Sequence, residues 1–334
     1  MDWGIIGHDW AVDLLRRNLA EDRVSHAYLF SGPPQVGKTS LALALAQAVN
    51  CTGSEPPCGQ CASCRKIAQR VHPDLHLMVG EGAGGSIKIE QVRALRREAV
   101  LAPYEGQYRV AILRQLDRAS TEAANSLLKL LEEPPRHMIL VVTTGVVEAL
   151  PATIVSRCQR LDLRPVSPRA IEAALCKRGL SPTEAGLLAG LSGGRVGWAL
   201  IACQDDAVTH QRGKDLDKLV ELLAADRLAR LEFASKANRD PEVALGRIEQ
   251  WSLWWRDLLL LCGQVEDGVV NTDRLAELSL LAEQVTLPEV MAGMKVLQAA
   301  AVQLEANVNV RLALEGVLLG LPRWRRLSSD QVHC

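Results

Sequence analysis

The sequence predicts a doubly wound α/β core followed by an all-helical C-terminal half. Short apolar runs alternate with longer helical patterns through the first 164 residues, which is typical of a parallel sheet covered by helices. Residues 32–39 match the glycine-rich pattern G-x-x-x-x-G-K-[ST] in full, a signature of such cores. No strand-like run follows Pro165, where the composition changes.

The first element of the core is a strand at residues 27–30, and an Ala/Leu-rich helix follows at residues 40–49. Between them the glycine-rich loop turns backbone N–H groups inward around a phosphate, at the positive end of the helix dipole. We expect Lys38 to reach the β- and γ-phosphates and Thr39 to offer its hydroxyl to Mg²⁺. The loop predicts ATP or ADP as ligand without choosing between them. Its candidate binding residues are Gly32, Gly37, Lys38, Thr39 and Ser40.

A module of four cysteines follows this helix. Cys51, Cys58, Cys61 and Cys64 form the pattern C-x6-C-x2-C-x2-C, with turn-forming residues between them. Four thiolates at about 2.3 Å would close a structural Zn²⁺ site. Free thiols or a redox pair are the alternatives, and the spacing favours zinc. We expect ordinary packing for the scattered cysteines, which are Cys158, Cys176, Cys203, Cys262 and Cys334.

The next strand, at residues 109–113, lacks the carboxylates that hydrolysis needs. Magnesium requires an acidic partner and the attacking water must be oriented, yet Arg114 and Gln115 occupy the two positions after the strand. Asp117 is a poor substitute if the strand continues, because it then lies on the opposite face from Arg114. The site is therefore expected to bind nucleotide and to hydrolyse it poorly.

The rest of the chain is predicted to be mainly helical. Residues 120–132 form a helix with Ala123, Leu127, Leu130 and Leu131 on one face, and residues 138–144 form a β-branched strand. Two or three short helices cover residues 169–202, a polar linker is expected over residues 204–215, and helices fill residues 216–322. Trp251, Trp254, Trp255 and Leu258 share helical spacing, which is typical of a core.

Composition limits the function. The 334 residues suffice for two or three domains. With 38 basic and 39 acidic residues, the chain lacks the basic field of a protein that binds DNA alone, so nucleic-acid contact would be local or shared with partners. No run of 18 apolar residues occurs and the first residues lack a signal-peptide pattern. We expect a cytoplasmic protein without a membrane partner.

Several short segments of the sequence resemble those of a known protein family. In order they are His26-Ala27-Tyr28-Leu29-Phe30, the four-cysteine insertion, His72-Pro73-Asp74, residues 87–93 (IKIEQVR), residues 125–135 (NSLLKLLEEPP) and Ser156-Arg157-Cys158. Residues 255–259 (WRDLL) and 307–315 (NVNVRLALE) extend the match to the C-terminal region. Together they resemble the bacterial clamp-loader ATPases of the AAA+ class, and within them the delta-prime subunits of DNA polymerase III.

This resemblance implies a domain organisation and further site residues. It implies an AAA+ P-loop domain at 1–164 with a zinc module at 51–64, a helical lid at 165–205 and an all-helical collar for oligomerisation at 206–334. Thr144 would lie near the γ-phosphate as a sensor, and Arg195 would be the sensor arginine of the lid. Arg157 would enter the ATP site of the neighbouring subunit, where a guanidinium supplied in trans stabilises charge on the γ-phosphate.

The resemblance also implies partners. A delta-prime subunit joins gamma/tau and delta subunits in a hetero-pentamer, which opens the sliding clamp and places it on primed DNA. Arg114 and Gln115 depart from the acidic pair of active members, as expected of a structural subunit with an impaired site. Two alternatives stay open: a gamma/tau-type ATPase of the same loader, which would need the acidic pair, and a stand-alone zinc and nucleotide switch protein.

Overall fold

The computed structural model describes residues 3–80, 86–306 and 308–324. The chain forms two compact units: the first comprises Met1–Ala174 with Gly194–Gly197, and the second comprises Leu175–Gly193 with Trp198–Cys334. The division of the chain into P-loop, lid and collar domains stays a prediction. Asn307, the first residue of the segment 307–315, and Cys334 lie outside the described residues.

The first unit is built on a five-stranded parallel sheet in the order β2-β3-β4-β1-β5. The strands are β1 (Ala27–Ser31), β2 (Leu75–Met78), β3 (Arg109–Leu113), β4 (Met138–Thr144) and β5 (Gln159–Asp162). The three central strands are buried along their whole length, as their continuous apolar runs predict. The two edge strands, β2 and β5, are not among the strands that the sequence pattern predicts.

Helices cover both faces of this sheet. They are α1 (Asp9–Ala20), α2 (Lys38–Val49), α3 (Ala62–Ala68), α4 (Ile89–Ala99), α5 (Thr121–Glu132) and α6 (Ala152–Val155). Tyr28 and Phe30 point into the core that contains α2, whereas Leu29 points into the core that contains α4 and α5. Successive side chains of a strand alternate between faces, so β1 joins both cores. The fold is a doubly wound α/β core, as predicted.

Helix α5 shows how the sequence sets its boundaries. Ser120 caps the helix by accepting a hydrogen bond from the backbone N–H of Ala123, which satisfies a donor that the first turn leaves free. The four apolar residues predicted on one face are all buried: Ala123, Leu127, Leu130 and Leu131. Helix α2 begins at Lys38, two residues before the predicted start, because the P-loop itself forms its first turn.

The described part of the remaining chain is helical. It contains α7 (Pro168–Cys176), α8 (Pro182–Leu191), α9 (Val196–Gln204), α10 (Asp206–Ala224), α11 (Arg227–Lys236), α12 (Pro241–Cys262), α13 (Leu275–Ala282), α14 (Leu287–Glu305) and α15 (Val310–Gly320). The predicted linker over residues 204–215 is wrong. Asp205 caps α10 through the backbone N–H of Ala207, so the polar stretch is the solvated start of a helix.

The core of the second unit centres on the predicted tryptophan stripe. Trp251, Trp254, Trp255 and Leu258 on α12 are fully buried, and Trp255 donates its indole N–H to the Val290 carbonyl at 2.7 Å. Trp255 also stacks on Trp324 with ring centroids 5.0 Å apart. The stripe is therefore core, as its helical spacing predicts. None of the helices in the described residues is long and apolar enough to cross a membrane.

Candidate functional site

The P-loop connects the carboxyl end of β1 to the start of α2. Gly32 and Gly37 have φ angles of 138° and 116°, which side chains with a Cβ rarely adopt. A Cβ on Gly32 would also collide with the Leu163 carbonyl oxygen. Gly37 is the residue before α2, so the loop delivers its N–H groups to the N-terminus of that helix, the geometry that binds phosphate.

The surroundings of Lys38 shift its pKa in opposite directions. Its Nζ donates to the carbonyl oxygens of Gly32 and Pro33, the latter at 2.8 Å. Burial lowers the Lys38 pKa to about 8, the nearby Asp117 carboxylate opposes this shift, and the Arg114 guanidinium adds to it. Lys38 therefore keeps most of its charge at neutral pH and loses it as the pH rises through about 8, because burial penalises the charged form.

The position of Asp117 corrects the sequence-based expectation. Strand β3 does not continue: it ends at Leu113, and Gln115 adopts a left-handed conformation with φ 52°. A 3-10 turn, Leu116–Arg118, follows and turns Asp117 back toward Lys38. The Asp117 carboxylate also accepts the Gly145 backbone N–H at 3.3 Å. A carboxylate therefore does serve the P-loop region, although Arg114 and Gln115 hold the expected acidic positions.

Two further segments support the loop. His8, buried just before α1, places Nε2 at 2.9 Å from the Val36 carbonyl oxygen. The backbone N–H of Gly197 donates to the Gln35 carbonyl oxygen at 2.8 Å, which places half-buried Arg195 two residues from a direct P-loop contact. The contact of His8 with the loop is not predictable from the sequence, because a lone histidine before a helix forms no pattern that indicates it.

Thr144 ends β4 directly beside Ser31, the last residue of β1. The predicted sensor thus lies at the same sheet edge as the P-loop. Its hydroxyl is buried, donates to the Val146 carbonyl oxygen at 2.9 Å and accepts the Val146 N–H at 3.1 Å. Of the loop's own hydroxyls, Ser40 is exposed and Thr39 is half-buried.

Arg157 lies at the other end of the strands: the P-loop lies along the edge formed by their carboxyl ends, whereas Arg157 lies along the edge formed by their amino ends. It follows α6 and precedes β5, whose first residue Gln159 pairs with Tyr28. Tyr28 is four residues before Gly32, so about 13 Å of strand separate that level from the loop. Arg157 contacts the Glu132 carboxylate at 2.9 Å and the Thr153 carbonyl oxygen at 2.9 Å. The structure therefore does not bring Arg157 to the P-loop of its own chain.

The four cysteines form the candidate metal centre. The Sγ atoms of Cys51, Cys58, Cys61 and Cys64 all lie within 4.8 Å of one another. A tetrahedral Zn²⁺ with bonds of 2.3 Å would place them about 3.8 Å apart, so this donor set fits zinc after a small contraction. The other described cysteines lie outside the cluster, and burial raises the pKa of Cys158 to about 11.

Backbone N–H groups prepare these sulfurs for a metal. Cys58 N–H donates to Cys51 Sγ at 3.3 Å, Cys61 N–H to Cys58 Sγ at 3.3 Å and Cys64 N–H to Cys61 Sγ at 3.4 Å. Burial would raise the pKa of Cys61, but N–H donors from Cys64 and Thr52 outweigh it and lower the pKa to about 6. Burial raises the pKa of Cys64. Hydrogen bonds to a thiolate favour the form that binds metal.

The fold and the P-loop define the class of protein: the chain is an AAA+ protein of the clamp-loader type. Residues 7–167 match the family model described as DNA polymerase III, delta subunit. The chain is 34% identical to DNA polymerase III subunit delta' of Bacillus subtilis, over 92% of this chain and 94% of that protein. It is 36% identical to subunit tau of the same organism, over 52% of this chain and 31% of that protein.

The chain therefore belongs to the DNA polymerase III delta-prime family of clamp-loader subunits. The longer match to delta' favours this assignment over a gamma/tau-type ATPase, and membership excludes the stand-alone switch protein. The solved structure of a gamma subunit-related protein of Thermotoga maritima superposes on this chain with a TM-score of 0.41 and 17% sequence identity. The match covers 91% of this chain and 97% of the Thermotoga chain.

Proposed function

We propose that this chain is a non-motor subunit of a bacterial clamp loader that supplies Arg157 to the ATP site of an adjacent subunit. In this proposal it works in the cytoplasm, joins gamma/tau and delta subunits in a hetero-pentamer through its C-terminal helices, and helps place the sliding clamp on primed DNA. The observation that carries the proposal is that the P-loop lies at the carboxyl ends of the strands of one parallel sheet and Arg157 at their amino ends.

Because of this separation, the P-loop and Arg157 would contact two different nucleotides. The P-loop edge holds this chain's own candidate ATP or ADP site, with Lys38, Thr39 and the candidate sensors Thr144 and Arg195. The other edge presents Arg157, with 36% of its side chain exposed. An arginine on that edge can reach only a nucleotide held by another subunit, where it would stabilise charge on the γ-phosphate oxygens.

The chain's own site is proposed to bind nucleotide and to hydrolyse it negligibly. Arg114 replaces a carboxylate next to the loop, and its positive charge repels Mg²⁺. Asp117 already supplies a hydrogen-bond acceptor to Gly145 and offers one carboxylate where the active class uses two. If Mg²⁺ accompanies the nucleotide, the Thr39 hydroxyl is its candidate protein ligand.

We further propose that the four cysteines hold one structural Zn²⁺. The four thiolates would fill all four coordination positions of the metal, so the site would have no open position for catalysis. Its role would be to fix the turn-rich segment between α2 and β2, because binding of the metal contributes free energy to folding.

The trans role is tested by reconstituting the loader with Arg157→Ala and wild-type partner subunits. We expect the variant to fold and assemble, and the hydrolysis stimulated by DNA and clamp to fall at least severalfold. The fall should stay below the 10³–10⁵ typical of a trans arginine at a single site, because the other subunits keep their own arginines.

Arg157→Lys separates charge from geometry. Lysine keeps one positive charge but loses the planar fork that binds two phosphate oxygens, so we expect it to rescue little of the lost rate. Wild-type hydrolysis and clamp loading with the alanine variant would overturn the trans role and leave the subunit a scaffold.

A further inference from the structure

The pair formed by Arg157 and Glu132 suggests a control on the trans arginine. The Glu132 carboxylate lies 2.9 Å from the Arg157 guanidinium, and both side chains are partly solvent-exposed, 36% for Arg157 and 50% for Glu132. A second hydrogen bond, from Arg157 to the Thr153 carbonyl oxygen at 2.9 Å, fixes the side chain against the end of α6. In this arrangement a carboxylate neutralises the charge that a trans role requires.

The placement of Glu132 is not explained by the stability of its own helix. It is the last residue of α5, and Glu133 follows as the C-cap. Acidic residues at a helix C-terminus face the negative end of the dipole, where cations are preferred. Two consecutive carboxylates there are locally unfavourable, and the Arg157 guanidinium compensates the first of them.

We propose that Glu132 is a positioning residue that latches Arg157 within its own subunit until a neighbouring nucleotide displaces it. The inference rests on the proposed trans role of Arg157. A carboxylate carries one negative charge, whereas the phosphate chain of a bound nucleotide carries several, so the phosphate competes well for the guanidinium. The exposed pair is weak enough to exchange, and engagement of Arg157 becomes conditional on a filled neighbouring site.

The latch holds Arg157 through two contacts, of which only one must break. The guanidinium has five N–H donors, and the two contacts to Glu132 and Thr153 use only part of them. Arg157 therefore stays oriented at the amino edge of the sheet, and only the bond to the carboxylate must break before it donates to phosphate.

The test uses the complete loader reconstituted from wild-type partners and one variant of this chain. Glu132→Gln removes the charge but keeps the shape. The matched control is Glu133→Gln, which makes the same change one residue away at an exposed position. Hydrolysis is measured without DNA and clamp, and again with both, and the rate of the Arg157→Ala assembly is subtracted to obtain the Arg157-dependent part.

We expect Glu132→Gln to raise the Arg157-dependent rate of the unstimulated assembly by about 1.5- to 5-fold, the range that an exposed ion pair allows. The stimulated rate should change less, because engaged arginines have already left the latch. Glu133→Gln should match wild type in both conditions. In an Arg157→Ala background, Glu132→Gln should change nothing. Melting of the isolated variants should show no loss of stability.

Three outcomes overturn the latch. If the Arg157-dependent rates of the Glu132→Gln and Glu133→Gln assemblies are equal, the pair of Arg157 and Glu132 has no control function. If Glu132→Gln lowers this rate, Glu132 assists Arg157 directly. An effect of Glu132→Gln that persists in the Arg157→Ala background would show that it acts by another route. In each case Arg157→Ala still lowers hydrolysis, which distinguishes failure of the latch from failure of the trans role itself.

Discussion

At the residue scale, the charges around Lys38 determine how the candidate nucleotide site would receive a phosphate. Asp117 favours the protonated ammonium, while burial and Arg114 favour the neutral amine, and the net result is a pKa of about 8. A bound phosphate would add negative charge next to Nζ and raise the pKa again. Binding and protonation are therefore linked at this residue.

Nucleotide affinity of the isolated chain should weaken as the pH rises through about 8. Below that value Lys38 is already charged in the free protein, so binding needs no proton. Above it the ammonium must be restored on binding, and affinity should fall by up to about tenfold per pH unit. Titration calorimetry between pH 7 and 9.5, in two buffers of different ionisation enthalpy, measures both the affinity and the proton uptake.

Lys38→Arg is the control for this dependence. Arginine stays charged throughout the range, so its affinity, whatever its absolute value, should be independent of pH. A wild-type affinity that is equally flat would show that Lys38 keeps its proton in the free protein.

At the scale of elements, the cysteine module reaches beyond its own loop. Cys61 caps α3 and Cys64 lies in its first turn, so metal binding would fix that helix. From α3, Lys66 donates to both Glu105 carboxylate oxygens at 2.8 and 2.7 Å. Glu105 belongs to the loop before β3, where three successive N–H groups bind the buried Asp74 carboxylate. These hydrogen bonds connect the cysteine module to Asp74, the residue directly before edge strand β2.

Purified protein should contain one zinc per chain, and Cys61→Ala should lose most of it. Three thiolates leave one position open to water, and the folding free energy contributed by the metal falls accordingly. Elemental analysis gives the metal content, and limited proteolysis should show cleavage between residues 51 and 70 before the rest of the chain. Cys176→Ala, outside the cluster, should retain the metal. Zinc-free protein with four freely titrating thiols would refute the site.

The elements that sequence analysis found and missed differ in burial. Strands β1, β3 and β4 are central, and both of their faces are buried. Their sequences are therefore continuous apolar runs, which predict a strand clearly. Edge strands β2 and β5 are only partly buried, and Leu75–Met78 and Gln159–Asp162 carry mixed side chains that show no period. The P-loop and the cysteine cluster were predictable because local spacing defines them. Asp117 was not, because its approach to Lys38 depends on the backbone turn at Gln115.

At the scale of the whole molecule, the chain combines a complete P-loop at the carboxyl ends of its strands with Arg157 at the amino ends, where we propose that it serves another subunit. The P-loop geometry is intact at Gly32, Gly37 and Lys38, whereas the positions after β3 hold Arg114 and Gln115. Binding requires only the loop's N–H groups and the lysine. Turnover requires in addition an oriented water and a second source of negative charge for the metal. The two activities are therefore separable in this chain.

The isolated chain should bind ATP or ADP and release almost no phosphate. Binding is measured with a fluorescent nucleotide analogue and turnover by phosphate release over hours. Lys38→Ala should abolish the binding signal, which identifies the loop as its source. A turnover of about 1 s⁻¹ or more, ordinary for an enzyme, would show that Asp117 replaces the missing carboxylates and that the subunit is a motor. Absence of any binding would remove the nucleotide role but leave the trans role of Arg157 intact, because that arginine acts from the opposite edge of the sheet.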